Sequence, residues 1–198
     1  MPDSFLQSFT STLNKYYPVS DTTARMVFDQ STIRTYLRSE LVAKAGRPDA
    51  LEYFLLEGLF HSYSVSADND QITTRIFLPQ SVITPHIVRT SEGRSIQNLA
   101  CLQDAVVAII PMSTFNSFMQ QYADLHAFGY RVVETELAMK AQREVSLLTL
   151  NAKERLIRFR SEYPNLENIA PHTIISSFLG ITPVSFSRLR NELAGSRS

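Results

Sequence analysis

The sequence predicts an α+β chain in three parts: an antiparallel β jelly roll with short N-terminal helices, a long helix, and a C-terminal helix-turn-helix. Three observations carry this reading. Between about Ile33 and Pro111 the apolar runs are short and evenly punctuated by turn residues, as in an all-β barrel or sandwich. After Pro111 apolar residues recur along roughly thirty positions without a proline. The stretch Ile169 to Leu193 then reads as two short amphipathic helices joined by a tight turn. The expected segments are 1–112, 113–148 and 149–198.

Residues 3 to 16 place Phe5, Leu6, Phe9 and Leu13 on one helical face and end at Tyr17-Pro18, and Ser20 to Phe28 suits a second short helix. Strands are expected at Leu37–Ala43, Tyr53–Leu56, Leu59–Val65, Ile72–Leu78, Ser95–Leu102 and Ala105–Ile110. Gly46-Arg47-Pro48, Glu57-Gly58, Asp68-Asn69-Asp70 and Gly93 punctuate them. In the long helical part, Phe115, Phe118, Met119, Tyr122, Leu125, Phe128, Val132, Val133, Leu137 and Val145 are too many for one buried stripe. Either a two-fold pair with a second copy or packing against its own barrel would cover them. The pair is the favoured expectation, because symmetric dimers are the commonest assembly. Gly129 is expected to mark a kink or a break.

In the C-terminal part the first helix is expected from His172 to Leu179, with Ile174, Ile175, Phe178 and Leu179 as its apolar stripe. Gly180 supplies a left-handed residue to end it. Thr182 suits the N-cap of the second helix, and Pro183 its first position, where an N–H has no partner to lose. Phe186, Leu189 and Leu193 then face inward, leaving Val184, Ser187, Arg188 and Asn191 on the other face. This is the layout of a recognition helix, which meets bases and phosphates near its N-terminus. The alternative is an ordinary helical hairpin closing a domain.

Composition narrows the choice. With 198 residues, 44% of them hydrophobic, the chain holds enough apolar material for one large domain or two compact ones. Its formal charge is zero, yet from Asn151 onward seven basic residues stand against four acidic ones, so that segment is +3 and the rest −3. A positive module joined to a negative one fits a DNA reader whose other half stays off the DNA. The single cysteine, Cys101, builds neither an internal disulfide nor a four-cysteine cluster, and reads as a small buried apolar residue. No basic stretch leads into an apolar core at the N-terminus, and no run approaches membrane-spanning length. The expectation is a soluble cytoplasmic protein without a membrane partner.

The order of barrel, long helix and helix-turn-helix, together with particular motifs, resembles the Crp-Fnr family of bacterial transcription regulators. Glu40-Leu41-Val42 with Gly46, then Tyr53 to Leu59, are similar to that family's strand–turn–strand start, and SYSVSADNDQITTRIFLP to its next hairpin. Ala152-Lys153-Glu154-Arg155-Leu156, Tyr163-Pro164, Leu179-Gly180-Ile181-Thr182-Pro183 and Ser187-Arg188-Leu189-Arg190 follow its C-terminal order and spacing. The resemblance implies a homodimer with a cyclic-nucleotide-binding-like sensor and a truncated winged-helix-like reading module. Its expected partners are double-stranded DNA, a second copy, an unidentified small-molecule effector and RNA polymerase. An effector in the barrel would bias the two long helices, and so set whether two recognition helices fit major grooves roughly 34 Å apart. About five residues follow Leu193, so a β-hairpin wing after the recognition helix is not expected.

Two departures shape the expectation. Cyclic-nucleotide binders of the family carry a Gly-Glu pair before an Arg-Ser or Arg-Thr and an alanine; the glutamate takes the ribose hydroxyl and the arginine the cyclic phosphate. Here Arg94 and Ser95 match the second half as candidate effector contacts, but Pro79 to Ser91 holds neither Gly nor Glu, and Ile96 stands where a small residue belongs. Cyclic AMP is therefore not the expected ligand. In the reading head, Val184 replaces a glutamate that would accept from a cytosine amino group, and a valine can only pack, for instance on a thymine methyl. The candidate DNA-contacting residues are Thr182, Pro183, Val184, Ser185, Ser187, Arg188 and Asn191, with Arg188 for a base or phosphate and Ser185 and Ser187 for phosphates. The competing reading is a degenerate member, a ligand-binding or protein-interaction dimer without specific DNA readout.

Nothing points to catalysis or to a cofactor. The four histidines, His61, His86, His126 and His172, are scattered without metal-ligand spacing, and no nucleophile elbow, P-loop or dinucleotide glycine pattern occurs. Haem or iron–sulfur sensing lacks its cysteines and an evident pair of axial ligands.

Overall fold

The computed structural model describes residues 2–195; Arg197, counted above in the C-terminal charge, lies outside them. The chain divides into two compact units, one formed by residues up to 62 with 76–137, the other by 63–75 with the residues from 138 on.

The first unit opens with α1 (Pro2–Asn14) and α2 (Asp21–Asp29), close to the expected spans. The Ser20 hydroxyl caps α2 by accepting from the Thr23 N–H at 3.1 Å. The strands are β1 (Thr32–Tyr36), β2 (Leu41–Ala43), β3 (Leu51–Glu57), β4 (Phe60–Val65), β5 (Gln71–Phe77), β6 (Ser81–Val82), β7 (Thr90–Ser91), β8 (Arg94–Ser95), β9 (Asn98–Cys101) and β10 (Ala105–Pro111), with the short helix α3 (His86–Arg89) after β6. They form one sheet in the order β1-β10-β3-β6, a second in the order β2-β9-β4-β5, and the small β7-β8 ribbon. Tyr53, Leu55, Val107 and Ile109 pack with Phe60, Phe77, Leu99 and Cys101 between the two large sheets. Phe54, Leu56, Ala108 and Ile110, their neighbours in sequence, turn to the other face and pack against Phe9, Leu13 and Phe128. Both faces of β3 and β10 are thus covered, which is why they read as continuous apolar runs.

Two expected strands are interrupted. Of the expected Leu37–Ala43 only Leu41–Ala43 is strand, as β2, and β1 lies before it at Thr32–Tyr36, because Ser39 takes a left-handed φ of 69° and the Glu40 carboxylate accepts from the Leu37 N–H at 2.9 Å. Ser95–Leu102 breaks at Ile96, which is about half exposed, and the ribbon before it turns through Glu92 and Gly93 at φ 51° and 70°.

The long helical part is also divided, into α4 (Met112–Gln121) and α5 (Ala123–Thr149). The break falls at Tyr122, extended at φ −119° and ψ 112°, and not at Gly129, where α5 is continuous. Asp124 fixes the new start, accepting from the backbone of Ser20 and Leu125 and from the Thr23 hydroxyl, and these bonds hold its carboxyl below the usual range. Gly129 serves packing instead: an added Cβ would lie 2.5 Å from the Met119 sulfur of α4. Toward its middle α5 leaves Tyr130, Val133 and Leu137 exposed.

In the second unit the end of α5 is followed by α6 (Ala152–Glu162), a 3₁₀ turn (Leu166–Asn168), α7 (His172–Leu179) and α8 (Pro183–Gly195). A reciprocal capping box joins Asn151 and Glu154 at the start of α6. Leu156, Phe159, Leu166, Ile175, Phe178 and Phe186 are buried as its core. The Arg155 side chain ties the elements together, donating to the Leu179 carbonyl at 2.9 Å and to the Leu150 carbonyl at 2.7 Å. The tip of the β4–β5 hairpin belongs to this unit. The Thr73 N–H donates to the Ser177 hydroxyl at 2.9 Å, which in turn donates to the Gln71 carbonyl at 2.8 Å. Arg143 adds a bond to the Thr73 carbonyl and lies over the Phe178 ring at 4.2 Å.

Among the described residues, no helix is long and apolar enough to cross a membrane.

Candidate functional site

The second unit carries the candidate reading surface. Gly180 ends α7 at φ 66° and ψ 38°, and its N–H closes onto the Ser176 and Ser177 carbonyls, as the sequence predicts. The Thr182 hydroxyl accepts from the Ser185 N–H at 3.1 Å, so α8 begins on the expected cap. Phe186 is fully buried against this turn, with Leu189 and Leu193 half-buried on the same side. On the opposite side Thr182, Pro183, Val184, Ser187, Arg188 and Asn191 are exposed. Six of the seven candidate DNA contacts therefore share one accessible face. Ser185 differs: it is half-buried, and its hydroxyl accepts from that of Thr182 at 3.0 Å.

Charge on this unit is mostly spoken for. Lys153 bonds Glu192 at 2.7 Å, which holds the Glu192 carboxyl below its usual range. Arg160 grips Glu167 through two nitrogens at 2.9 and 3.1 Å, and Arg190 lies between Glu167 at 3.4 Å and the His172 ring at 3.1 Å. Arg188, in contrast, makes no hydrogen bond or ion pair among the described residues, although its charge also helps to hold the Glu192 carboxyl down. Val184 is 80% exposed, so its side chain is accessible for an apolar contact. The candidate face thus presents, among the described residues, one cation without a hydrogen-bonded partner, small polar groups and one exposed apolar side chain.

The candidate effector residues of the first unit do not converge. Arg94 is exposed and donates to the Gly46 carbonyl at 2.9 Å, whereas its neighbour Ser95 is buried and donates to the Gln97 carbonyl at 2.7 Å. Alternation along β8 sends the two side chains to opposite faces. Between the two large sheets lies the apolar cluster around Phe60 and Phe77.

A different arginine holds the interior position. Arg89 is 6% exposed, and its Nε and Nη2 reach the two Asp49 oxygens at 3.0 and 3.1 Å. Its Nη1 donates to the Thr84 carbonyl at 2.9 Å and lies 3.5 Å from Glu52; Nη2 also meets the Leu51 carbonyl, and the guanidinium stacks on the Tyr53 ring at 4.7 Å. Burial raises the Glu52 carboxyl despite Arg89 and the His86 N–H, which donates to both its oxygens. Nothing local in the sequence marks this cluster, because Asp49 and Glu52 precede Arg89 by 40 and 37 positions. The four histidines stay apart: His61 is buried, its pKa pushed down to about 4 by desolvation, while His86, His126 and His172 lie on α3, α5 and α7.

No sequence-family model and no curated protein sequence matches the chain. Solved structures do. FixK2 from Bradyrhizobium japonicum superposes with a TM-score of 0.74 at 18% identity, covering 84% of this chain and 85% of its own. CLP, the c-di-GMP responsive global regulator of Xanthomonas campestris, gives 0.72 at 13% identity, over 89% and 93%. A protein from Eubacterium rectale assigned to the Crp/Fnr family of transcriptional regulators gives 0.70 at 12%, over 92% and 88%.

Proposed function

We propose that this chain, which has the fold of the Crp-Fnr regulators, is a homodimeric transcription regulator that reads double-stranded DNA with α8. The observation that carries the proposal is the exposed N-terminal face of α8, where Arg188 is held by no hydrogen bond or ion pair among the described residues while Lys153 and Arg190 are paired to glutamates. Arg188 would reach a guanine edge or a phosphate, Ser187 and Thr182 phosphates, and Val184 a thymine methyl. A cytosine-accepting glutamate is absent at that position, so the half-site differs from one read by a glutamate.

Two copies would pair through the exposed face of α5. Tyr130, Val133 and Leu137 recur at i, i+3 and i+7, the spacing of a helix–helix seam, and a two-fold axis makes such a stripe complementary to itself. Effector binding to the first unit would bias how the paired helices present the two reading heads. RNA polymerase is the further partner this reading implies. No enzymatic role is proposed.

In-vitro selection from a random double-stranded library tests the reading, with purified protein and Arg188→Ala in parallel. The expected result is an enriched two-fold-symmetric motif whose half-sites are roughly one helical turn apart, and its loss in the variant. Equal enrichment by Arg188→Ala would overturn the recognition-helix assignment. No enrichment by either protein, with a dimer present, would favour an interaction dimer without DNA readout.

A further inference from the structure

β5 is the outer strand of the sheet ordered β2-β9-β4-β5, so one of its edges has no neighbouring strand among the described residues. The N–H and C=O of a strand residue point to one edge, and those of the residue two places on point to the same edge. At Gln71 and Thr73 that edge is taken by side chains of the second unit, to which residues 63–75 belong. The Ser177 hydroxyl accepts from the Thr73 N–H at 2.9 Å and donates to the Gln71 carbonyl at 2.8 Å, as a residue of a paired strand would. Arg143 takes the Thr73 carbonyl at 3.2 Å. Side chains of α7 and α5 thus bond the groups that a further strand would use.

Ser177 is also where α7 stops. Its own carbonyl accepts from the Gly180 N–H at 3.0 Å, and the Ser176 carbonyl from the Ile181 N–H at 3.0 Å, which closes the turn leading to the Thr182 cap. One residue therefore holds β5 with its side chain and the turn with its main chain. Its neighbour Phe178 is buried, lies under Arg143 at 4.2 Å, and meets Phe159 and Tyr163 at the end of α6 at 5.9 and 5.8 Å. The hairpin tip is itself tied: the Ser66 N–H donates to the Asp70 carbonyl at 2.9 Å, and the Asp70 N–H to the Ser66 hydroxyl at 3.1 Å. These two bonds across the connection make it a stiff support.

From this geometry we infer that the edge of β5 is the seat of the reading head, and that Ser177 is a positioning residue for DNA recognition. It is not among the candidate DNA contacts; it fixes where the turn, and with it the exposed face of α8, stands. The inference rests on the regulator reading and adds to the reading head a segment more than a hundred positions before α7.

Hydrogen exchange and DNA binding on the full chain test it together, with Ser177→Ala and Ser176→Ala as a matched pair. The Ser176 hydroxyl donates to the Thr173 carbonyl of its own helix at 3.1 Å, so its loss weakens α7 without releasing β5. In Ser177→Ala the Thr73, Gly180 and Ile181 amides are expected to exchange at least roughly tenfold faster, with Val107 and Ile109 in β10 unchanged. In Ser176→Ala the Thr73 amide should stay protected. On the selected site the Kd of Ser177→Ala should rise roughly tenfold, because a penalty of about threefold at each head counts twice in a two-fold pair. Ser176→Ala should stay within about threefold of the parent.

Unchanged exchange at Thr73 and the turn in Ser177→Ala would overturn the inference. So would parent-like DNA affinity in that variant, or an equal loss in Ser176→Ala, since the effect would then be one of general α7 stability. The exchange comparison needs no DNA. It therefore decides the seat even where the parent enriches no motif, a failure that belongs to the regulator reading alone.

Discussion

At the scale of single residues, Gly180 and His61 show opposite relations between sequence and stability. Gly180 sits at φ 66° for a local reason, the end of α7, and a Cβ there would also lie 3.3 Å from Leu147. Gly180→Ala should cost about 1–2 kcal/mol in thermal or chemical unfolding, from the left-handed backbone. An unchanged midpoint would mean the turn relaxes to another conformation. His61 depends on the whole sandwich. Its pKa falls from the usual 6.5 to about 4 because burial disfavours the imidazolium. The unfolded chain therefore takes up a proton that the folded one refuses. Stability is complete above about pH 6.5 and declines as pH falls toward 4, by up to about 3 kcal/mol. Denaturant midpoints of the parent and of His61→Gln across that range should diverge as follows: the parent loses stability on acidification, and the variant loses less. Parallel curves would show that His61 is hydrated.

At the scale of elements, legibility follows how local each cause is. α7, its glycine stop and the Thr182 cap were readable because every partner lies within three or four residues. β3 and β10 were readable from their apolar runs, which both sheet faces demand. The division of the long helix at Tyr122 was not, since Asp124 is fixed by Ser20 and Thr23 more than a hundred positions earlier. Arg94 and Ser95 looked like a pair because they are adjacent, but adjacency in a strand means opposite faces. The Arg89–Asp49 pair was invisible for the converse reason, a contact across 40 positions. The exposed stripe of α5 yields a test at this level. Leu137 is 69% exposed in the single chain, so Leu137→Lys should leave its unfolding within about 0.5 kcal/mol. In a two-fold pair the same change places two like charges at one seam, and sedimentation should show the dimer weakened by more than about tenfold. A dimer of undiminished strength would put the interface on another surface.

At the scale of the whole molecule, net charge is a poor guide to what DNA would feel. The chain sums to zero, and the excess on its C-terminal part is largely consumed by Glu192 and Glu167 holding Lys153, Arg160 and Arg190. Freeing those cations for phosphates would expose glutamates beside the DNA backbone, so few of them are available. Each neutralised phosphate contributes about −0.9 to the slope of log affinity against log salt. A dimer relying on Arg188, the α8 N-terminus and small hydroxyls should therefore show a shallow slope, no steeper than about −5, on its selected site. Arg188→Ala, changed in both copies, should reduce that slope by about 2 if the guanidinium meets phosphate. If it meets a base edge, the slope should hold while discrimination at one base pair of each half-site collapses by about 1–3 kcal/mol. A steep slope in the parent would mean that the Lys153–Glu192 and Arg190–Glu167 pairs open on DNA. Glu192→Gln would then leave the slope unchanged, where a closed pair predicts a steeper one as Lys153 is released to phosphate.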